Sequence, residues 1–260
     1  MKRVAASLLS IVVGLAVMAV WLMPGRGDAG RALAGGETAN PQVLITRTVS
    51  LEPAKDNTLY QSESGALSNG AGQYLFAGRT DNSGLRRAVL AFDLAGVMPG
   101  ATVSAATLTL HVSRTGGGDV PVAVHALARD WGEGDSDAPG EEGGGTQAAP
   151  GDATWRHTFY NTAQWTTIGG DYLATPLATT TVGGAGDYVW ASAALTADVQ
   201  HWLDQPGQNF GWIVLGGETA DRTAKRFDSR ENATAANRPR LTVTYTFEGH
   251  LSFIPVALRN

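Results

Sequence analysis

The fold is decided by the stretch LRRAVLAFDL at residues 85–94, followed by MPG at 98–100 and ATLTLHV at 106–112. Apolar side chains alternate with polar or smaller ones in the first and last segments, which predicts two half-buried strands. The proline and glycine between them indicate a turn. A short strand pair of this kind needs a second sheet to cover its apolar face. Six side chains are therefore expected in the core: Leu90, Phe92, Leu94, Leu108, Leu110 and Val112.

The rest of the chain repeats the short-strand pattern. Further strands are predicted at 43–49, 56–60, 74–78, 120–127, 178–182, 187–190, 210–215, 224–229 and 241–247. One helix is predicted, because Leu195, Val199, Trp202 and Leu203 recur at helical spacing and Ser192 is a suitable N-cap. With 33 glycines and only 17% charged residues, these segments predict an all-β jelly-roll β-sandwich with one short helix.

The N-terminus predicts export. Lys2 and Arg3 precede an apolar run at 4–23, and residues 32–34 (ALA) form a small-residue cleavage site. This pattern is typical of a cleaved signal peptide, although the run is also long enough for an uncleaved membrane anchor. Both alternatives predict a secreted or extracytoplasmic domain, with contact to a membrane only through this segment. We therefore divide the chain into a signal or anchor segment with its linker at 1–34, a sandwich domain at 43–247 and a short tail at 248–260.

Composition and motifs exclude several classes of partner and catalytic mechanism. The net charge of −5 argues against a nucleic-acid partner, which would require a basic face. The chain has no cysteine, so it is not stabilised by disulfide bonds and has no thiol group for catalysis or metal binding. The sequence also lacks the G-x-S-x-G, H-E-x-x-H and P-loop motifs that accompany common catalytic mechanisms.

Several blocks of sequence, in this order, resemble the DNRLRE domain family of secreted bacterial and archaeal proteins. The blocks are Arg87–Leu94, Gly100–Leu110, Asp130–Gly134, Ala153–Trp155, Trp165–Asp171, Val199–Leu203, Asn209–Trp212, Phe227–Glu231 and Arg238–Leu241. The resemblance covers residues 51 to 247. It implies a jelly-roll sandwich similar to carbohydrate-binding modules, with an acidic glycan as the partner. Because residues 1–260 contain no segment typical of a catalytic domain, we expect a stand-alone binding or surface protein.

A glycine-rich acidic segment at 132–152 interrupts all periodicity. Glu133, Asp135 and Asp137 are spaced by two with glycine nearby, and carboxylates on a pliable backbone are suitable ligands for a structural calcium ion. The segment is not an EF-hand, because its glutamate and glycine positions are wrong for one. The alternative is a solvated, mobile acidic loop without a metal.

Aromatic and basic side chains supply the candidate ligand-binding residues. Trp131, Trp155 and Trp165 lie at loop and strand ends among polar residues, where exposed rings could stack on sugars. Arg86 is a candidate for pairing with a uronate carboxylate, and His157 lies within the same aromatic segment. The alternative is that the three tryptophans seal the sandwich beneath the long loop. Their solvent exposure distinguishes the two: a shared groove favours binding, and full burial favours a structural role.

Three functions follow from these patterns. The first is a secreted, non-catalytic β-sandwich that binds carbohydrate or mediates adhesion at the cell surface or in the extracellular matrix. The second is a polysaccharide lyase or hydrolase that uses His157 or His125 with nearby carboxylates. The third is a purely structural envelope protein without a ligand.

Overall fold

The computed structural model describes residues 42–250, which form an antiparallel β-sandwich with one α-helix. The strands are β1 (Gln42–Leu51), β2 (Pro53–Tyr60), β3 (Leu67–Ser68), β4 (Tyr74–Arg79), β5 (Leu85–Phe92), β6 (Thr102–Thr115), β7 (Val120–Ala126), β8 (Thr146–Gln147), β9 (His157–Phe159), β10 (Ala163–Gln164), β11 (Ala178–Val182), β12 (Gly186–Ala191), β13 (Trp212–Leu215), β14 (Lys225–Asp228) and β15 (Arg240–His250). The helix α1 spans Ala193–Asp204, and short 3-10 helices span Pro206–Gln208 and Ala235–Asn237. The predicted all-β sandwich with one short helix is confirmed.

The main sheet curls back on itself to make both layers. Its strand order is β1-β15-β6-β14-β4-β5-β13-β7-β11, with β12 paired to β6 and β2 paired to β5. Strand β4 belongs to both layers, because residues 74–77 pair with β14 while Gly78 and Arg79 pair with β5. Gly78 makes this bend with a φ of 118°, where a side chain would press against the backbone of Thr223 and Ala224.

The two strands that decide the fold are not partners of each other. Strand β5 pairs with β2, β4 and β13, whereas β6 pairs with β12, β14 and β15. Residues 93–101 therefore carry the chain from one layer to the other, and a hairpin interpretation of this pair is wrong. The six predicted core side chains are nevertheless all buried in one cluster, because the two strands contribute to the same core from its two sides.

Helix α1 covers an open edge of β6. Its N-cap is Ser192, whose hydroxyl accepts from the amide of Leu195 at 2.9 Å, as predicted. The amide of Val103 donates to Gln200 Oε1 at 2.7 Å, and the amide of Ala106 donates to Thr196 Oγ1 at 3.2 Å. Side chains of the helix thus satisfy backbone donors that a neighbouring strand would otherwise bind, which protects the edge from pairing with another chain.

The predicted signal or anchor segment at 1–34 lies outside the described residues, as do residues 251–260 of the tail. Across residues 42–250, no helix combines the length and apolar character needed to cross a membrane.

Candidate functional site

A second core lies on the outer face of the layer that contains β5. Strand β5 is buried on both faces, since Val89 and Ala91, which point away from the main core, are 0% and 5% exposed. The loops after β7, β8 and β10 fold over this face and bury their aromatic side chains there. The buried members of this second core are Leu59, Val89, Ala91, Leu127, Trp131, Ala153, Trp155, Trp165 and Ile213.

The three tryptophans predicted to bind ligand are components of this second core. Trp131, Trp155 and Trp165 are 0%, 5% and 4% exposed, so none of them presents a ring face to solvent. The indole of Trp131 donates to the carbonyl of Phe210 at 2.9 Å, and the indole of Trp165 donates to the carbonyl of Thr154 at 2.9 Å. Each buried N–H therefore has a partner, and the rings seal the outer face of the sheet.

Two neighbouring arginines hold the covering loops in place. Arg87 binds both carboxylate oxygens of Glu218 at 2.7 and 2.8 Å, and its guanidinium lies 4.9 Å from the ring centre of Trp155. Arg86, a predicted ligand-binding residue, lies 4.8 Å from the ring centre of Tyr60 and donates to the carbonyl of Gly143 at 3.1 Å. Burial lowers the pKa of Arg86. Arg86 thus binds the protein's own acidic segment.

The covering loops also carry a polar and aromatic surface, which we call the His157 platform. It consists of His157, Tyr160, Gln147 and Arg156. The rings of His157 and Tyr160 are half-buried and meet edge to face, with centres 5.3 Å apart. Gln147 donates to the hydroxyl of Tyr160 at 2.8 Å, and the exposed Arg156 donates to the carbonyl of Glu63 at 3.2 Å.

His157 is positioned by the segment that precedes it. Its Nδ1 lies 3.0 Å from Thr154 Oγ1, and its own amide donates to the same hydroxyl at 3.0 Å. Burial, and then the charge of Arg156, lower the pKa of His157, so the ring is mainly neutral at pH 7. Among residues 42–250, neither His157 nor His125 has a carboxylate as a hydrogen-bond partner, since His125 Nδ1 faces the carbonyl of Leu173.

The acidic segment 132–152 is fastened to the sandwich along its length. Glu142, which is 7% exposed, accepts from the amides of Gln73 and Tyr74 and from the side chain of Asn69 at 2.8–3.1 Å. Ser136 accepts from the amide of Gly70 at 3.1 Å. The mobile-loop alternative is therefore wrong for this structure, because side chains of the segment replace the missing ladder partners of β3, β4 and their connections.

The predicted calcium ligands do not converge on one point. Asp135 and Asp137 are exposed, whereas Glu133 turns inward. Glu133 instead joins Asp56 of β2 and Glu231 of the β14–β15 connection, and one carboxylate oxygen from each lies within 4.8 Å of the others. We call Asp56, Glu133, Glu231 and Arg230 the carboxylate cluster.

Arg230 is the positive charge of the carboxylate cluster. Its guanidinium binds the two oxygens of Glu133 at 2.7 and 2.5 Å and Glu231 Oε1 at 2.8 Å. Its amide donates to Asp56 Oδ2 at 2.8 Å, and the amide of Asp56 donates to Glu133 Oε1 at 2.6 Å. A metal ion would have to displace this guanidinium, so the present arrangement does not fit the predicted calcium ion.

Burial and mutual repulsion perturb two of these acids. Burial, then the neighbouring charges of Glu231 and Glu133, hold the pKa of the Asp56 carboxyl well above its usual range. Burial also raises the pKa of Glu231 to about 7, against the opposing effect of Arg230. Because Glu231 Oε2 is buried without a hydrogen-bond partner among the described residues, its ionised form is poorly satisfied.

Sequence reasoning missed Tyr160, Gln147 and Glu231 as members of these two sites, and it did not place Asp56 beside Glu133. A charged residue inside a strand-like segment was a usable signal for Asp56, because buried acids are rare unless they are paired. The other three carry no local signal, since the fold alone brings them to their partners.

No protein-family model matches this chain, and no curated protein matches it.

Proposed function

We propose that the protein is an extracytoplasmic, non-catalytic β-sandwich module of the DNRLRE type that binds an acidic polysaccharide through the His157 platform. The observation that carries this proposal is the half-exposed Tyr160 and His157 pair, flanked by the amide of Gln147 and the guanidinium of Arg156. The extracytoplasmic location rests on the apolar segment at 4–23 and its small-residue site.

The chemistry of the platform suits a sugar acid. An aromatic ring stacks on the apolar C–H face of a sugar, an amide bonds to its hydroxyls, and a guanidinium binds its carboxylate. The second core beneath the platform fixes the backbone of residues 153–165, so little ordering is required when a ligand binds.

Affinity electrophoresis against neutral and uronate-containing polysaccharides, followed by calorimetry, tests the proposal. We expect Tyr160→Ala to weaken binding about tenfold, because it removes the stacking surface. Arg156→Gln should weaken only the acidic glycans. Arg222→Gln is the matched control, since Arg222 is exposed and pairs with Asp81 at 3.4 Å, outside the platform. If the wild-type protein retains no glycan, or Tyr160→Ala binds as wild type does, the proposal fails.

The burial of Trp131, Trp155 and Trp165 favours a second candidate, a structural envelope module without a ligand. This candidate requires stability without glycan binding. The same panel separates the two, because a structural module gives no retention with any polysaccharide while its thermal unfolding remains cooperative.

A further inference from the structure

The carboxylate cluster joins three parts of the chain. Asp56 comes from β2 and is 1% exposed, Glu133 comes from the acidic segment, and Arg230 and Glu231 come from the β14–β15 connection. Glu133 and Glu231 pair with the guanidinium of Arg230, whereas Asp56 accepts from the backbone amide of the same residue. Asp56 is the fully buried member, and the other three side chains are only partly exposed. Three ionised carboxylates at this spacing would repel one another more than a single arginine compensates.

One oxygen in this cluster indicates where a proton belongs. Glu231 Oε1 forms an ion pair with Arg230 Nε at 2.8 Å, but Oε2 is buried and has no hydrogen-bond partner among residues 42–250. A bare carboxylate oxygen in that position loses its hydration without compensation. A protonated carboxyl group instead offers an O–H donor, and Asp56 and Glu133 each bring one carboxylate oxygen within 4.8 Å of a Glu231 oxygen.

We propose that Glu231 holds a proton in mildly acidic solution and donates it within the carboxylate cluster, so that the acidic segment is held against the β14–β15 connection by a proton-dependent clamp. The charged groups that face Glu231 are Asp56 on β2, Glu133 on the acidic segment and Arg230 beside it. Lys55, the neighbour of Asp56 on β2, is directed elsewhere, to Asp130 and the carbonyl of Trp131. Loss of the proton adds a negative charge to a cluster that contains a single arginine, and the clamp opens.

The raised pKa of Glu231 agrees with this geometry and fixes the direction of the pH effect. An acid whose pKa rises on folding, here from 4.5 to about 7, stabilises the folded state most below its unfolded value. That contribution falls as the pH increases through 7. The clamp is therefore closed in mildly acidic solution and opens in alkaline solution, independently of any polysaccharide.

Thermal unfolding and hydrogen exchange of the full-length protein between pH 5.5 and 8.5 test the clamp. In wild type we expect Tm to fall over this range, and amides at 132–145 to exchange at least about tenfold faster at pH 8.5 than the intrinsic pH effect predicts. Glu231→Gln keeps the shape but cannot ionise, so its Tm should fall clearly less over this pH range than the Tm of wild type. Glu52→Gln is the control, because Glu52 is 49% exposed and pairs with Arg238 outside the cluster. Parallel Tm profiles for wild type and Glu231→Gln would overturn the proposal.

A carboxyl carbon NMR titration of wild type provides a second measurement if Glu231→Gln does not fold. A midpoint above pH 6 for Glu231 supports the clamp, and a midpoint near 4.5 overturns it. The third measurement is Tm at pH 8.5 with and without calcium chloride. A rise of Tm with calcium in wild type that is absent in Glu231→Gln would show that the cluster takes a cation in place of the proton, and would overturn the clamp as stated.

Discussion

Replacing Trp155 by alanine should lower the free energy of unfolding by about 4 kcal/mol and should affect glycan affinity only through the lost support for residues 153–165. The ring of Trp155 is 5% exposed, and removal of such a side chain costs about 3–5 kcal/mol, including the cavity left behind. The guanidinium of Arg87, 4.9 Å from the ring centre, loses a cation–π contact worth about 0.5–2 kcal/mol. Arg87 keeps its two bonds to Glu218 in the variant. We therefore expect the total loss of stability to stay within the roughly 3–5 kcal/mol that removal of the ring costs, at about 4 kcal/mol.

Urea unfolding followed by far-ultraviolet circular dichroism measures the loss, and affinity electrophoresis under fully folded conditions measures binding. Ile168→Ala is the control, since Ile168 is 61% exposed on the same covering segment and should change stability by less than about 0.5 kcal/mol. A loss below about 1 kcal/mol for Trp155→Ala would refute the structural role of the second core. A selective loss of glycan binding at full stability would show that Trp155 contacts the ligand after all.

Three further substitutions test the packing of the loops. Lys225 is fully buried and donates to the carbonyls of residues 117, 118 and 183 at 2.7–3.2 Å. Lys225→Met should therefore lower the free energy of unfolding in urea by about 1–3 kcal/mol. An unchanged free energy would contradict this bridging role. Gly134 and Gly140 have nearly the same φ, 71° and 69°, but only at Gly134 would a Cβ overlap Asp152 Oδ1. Gly134→Ala should therefore lower Tm clearly more than Gly140→Ala, which carries only the cost of positive φ, about 1 kcal/mol; equal losses would show that space at Gly134 is irrelevant.

The core could be predicted from the sequence, but the strand partners could not. The period of two assigns Leu90 and Leu108 to a buried face, and that assignment holds in any sandwich that contains these strands. The same period does not indicate which strand forms hydrogen bonds with each of these two strands. The turn signal at Pro99 and Gly100 suggested a hairpin, whereas the chain crosses between layers there, because β5 and β6 each have other partners on both sides.

The candidate sites show the same limit. The tryptophans could be recognised as important, but their burial depends on loops that fold back over Val89 and Ala91, and the polar neighbours in sequence gave the opposite impression. Glu133 was identified as a carboxylate of interest with the wrong partners. Its actual partners are distant in sequence: Asp56 and Arg230 are 77 and 97 residues away from Glu133, and the three meet only in the folded sandwich.

Strands β1 and β15 pair along ten positions, and Gln42 at the start of β1 lies opposite His250 at the end of β15. The two ends of the described domain are thus about 5 Å apart, one strand spacing. A linker of a few residues would join them, which permits circular permutants with new ends at an exposed position such as Gly140. The same closeness would allow the whole sandwich to be inserted into a surface loop of a host protein without separating the two sides of that loop.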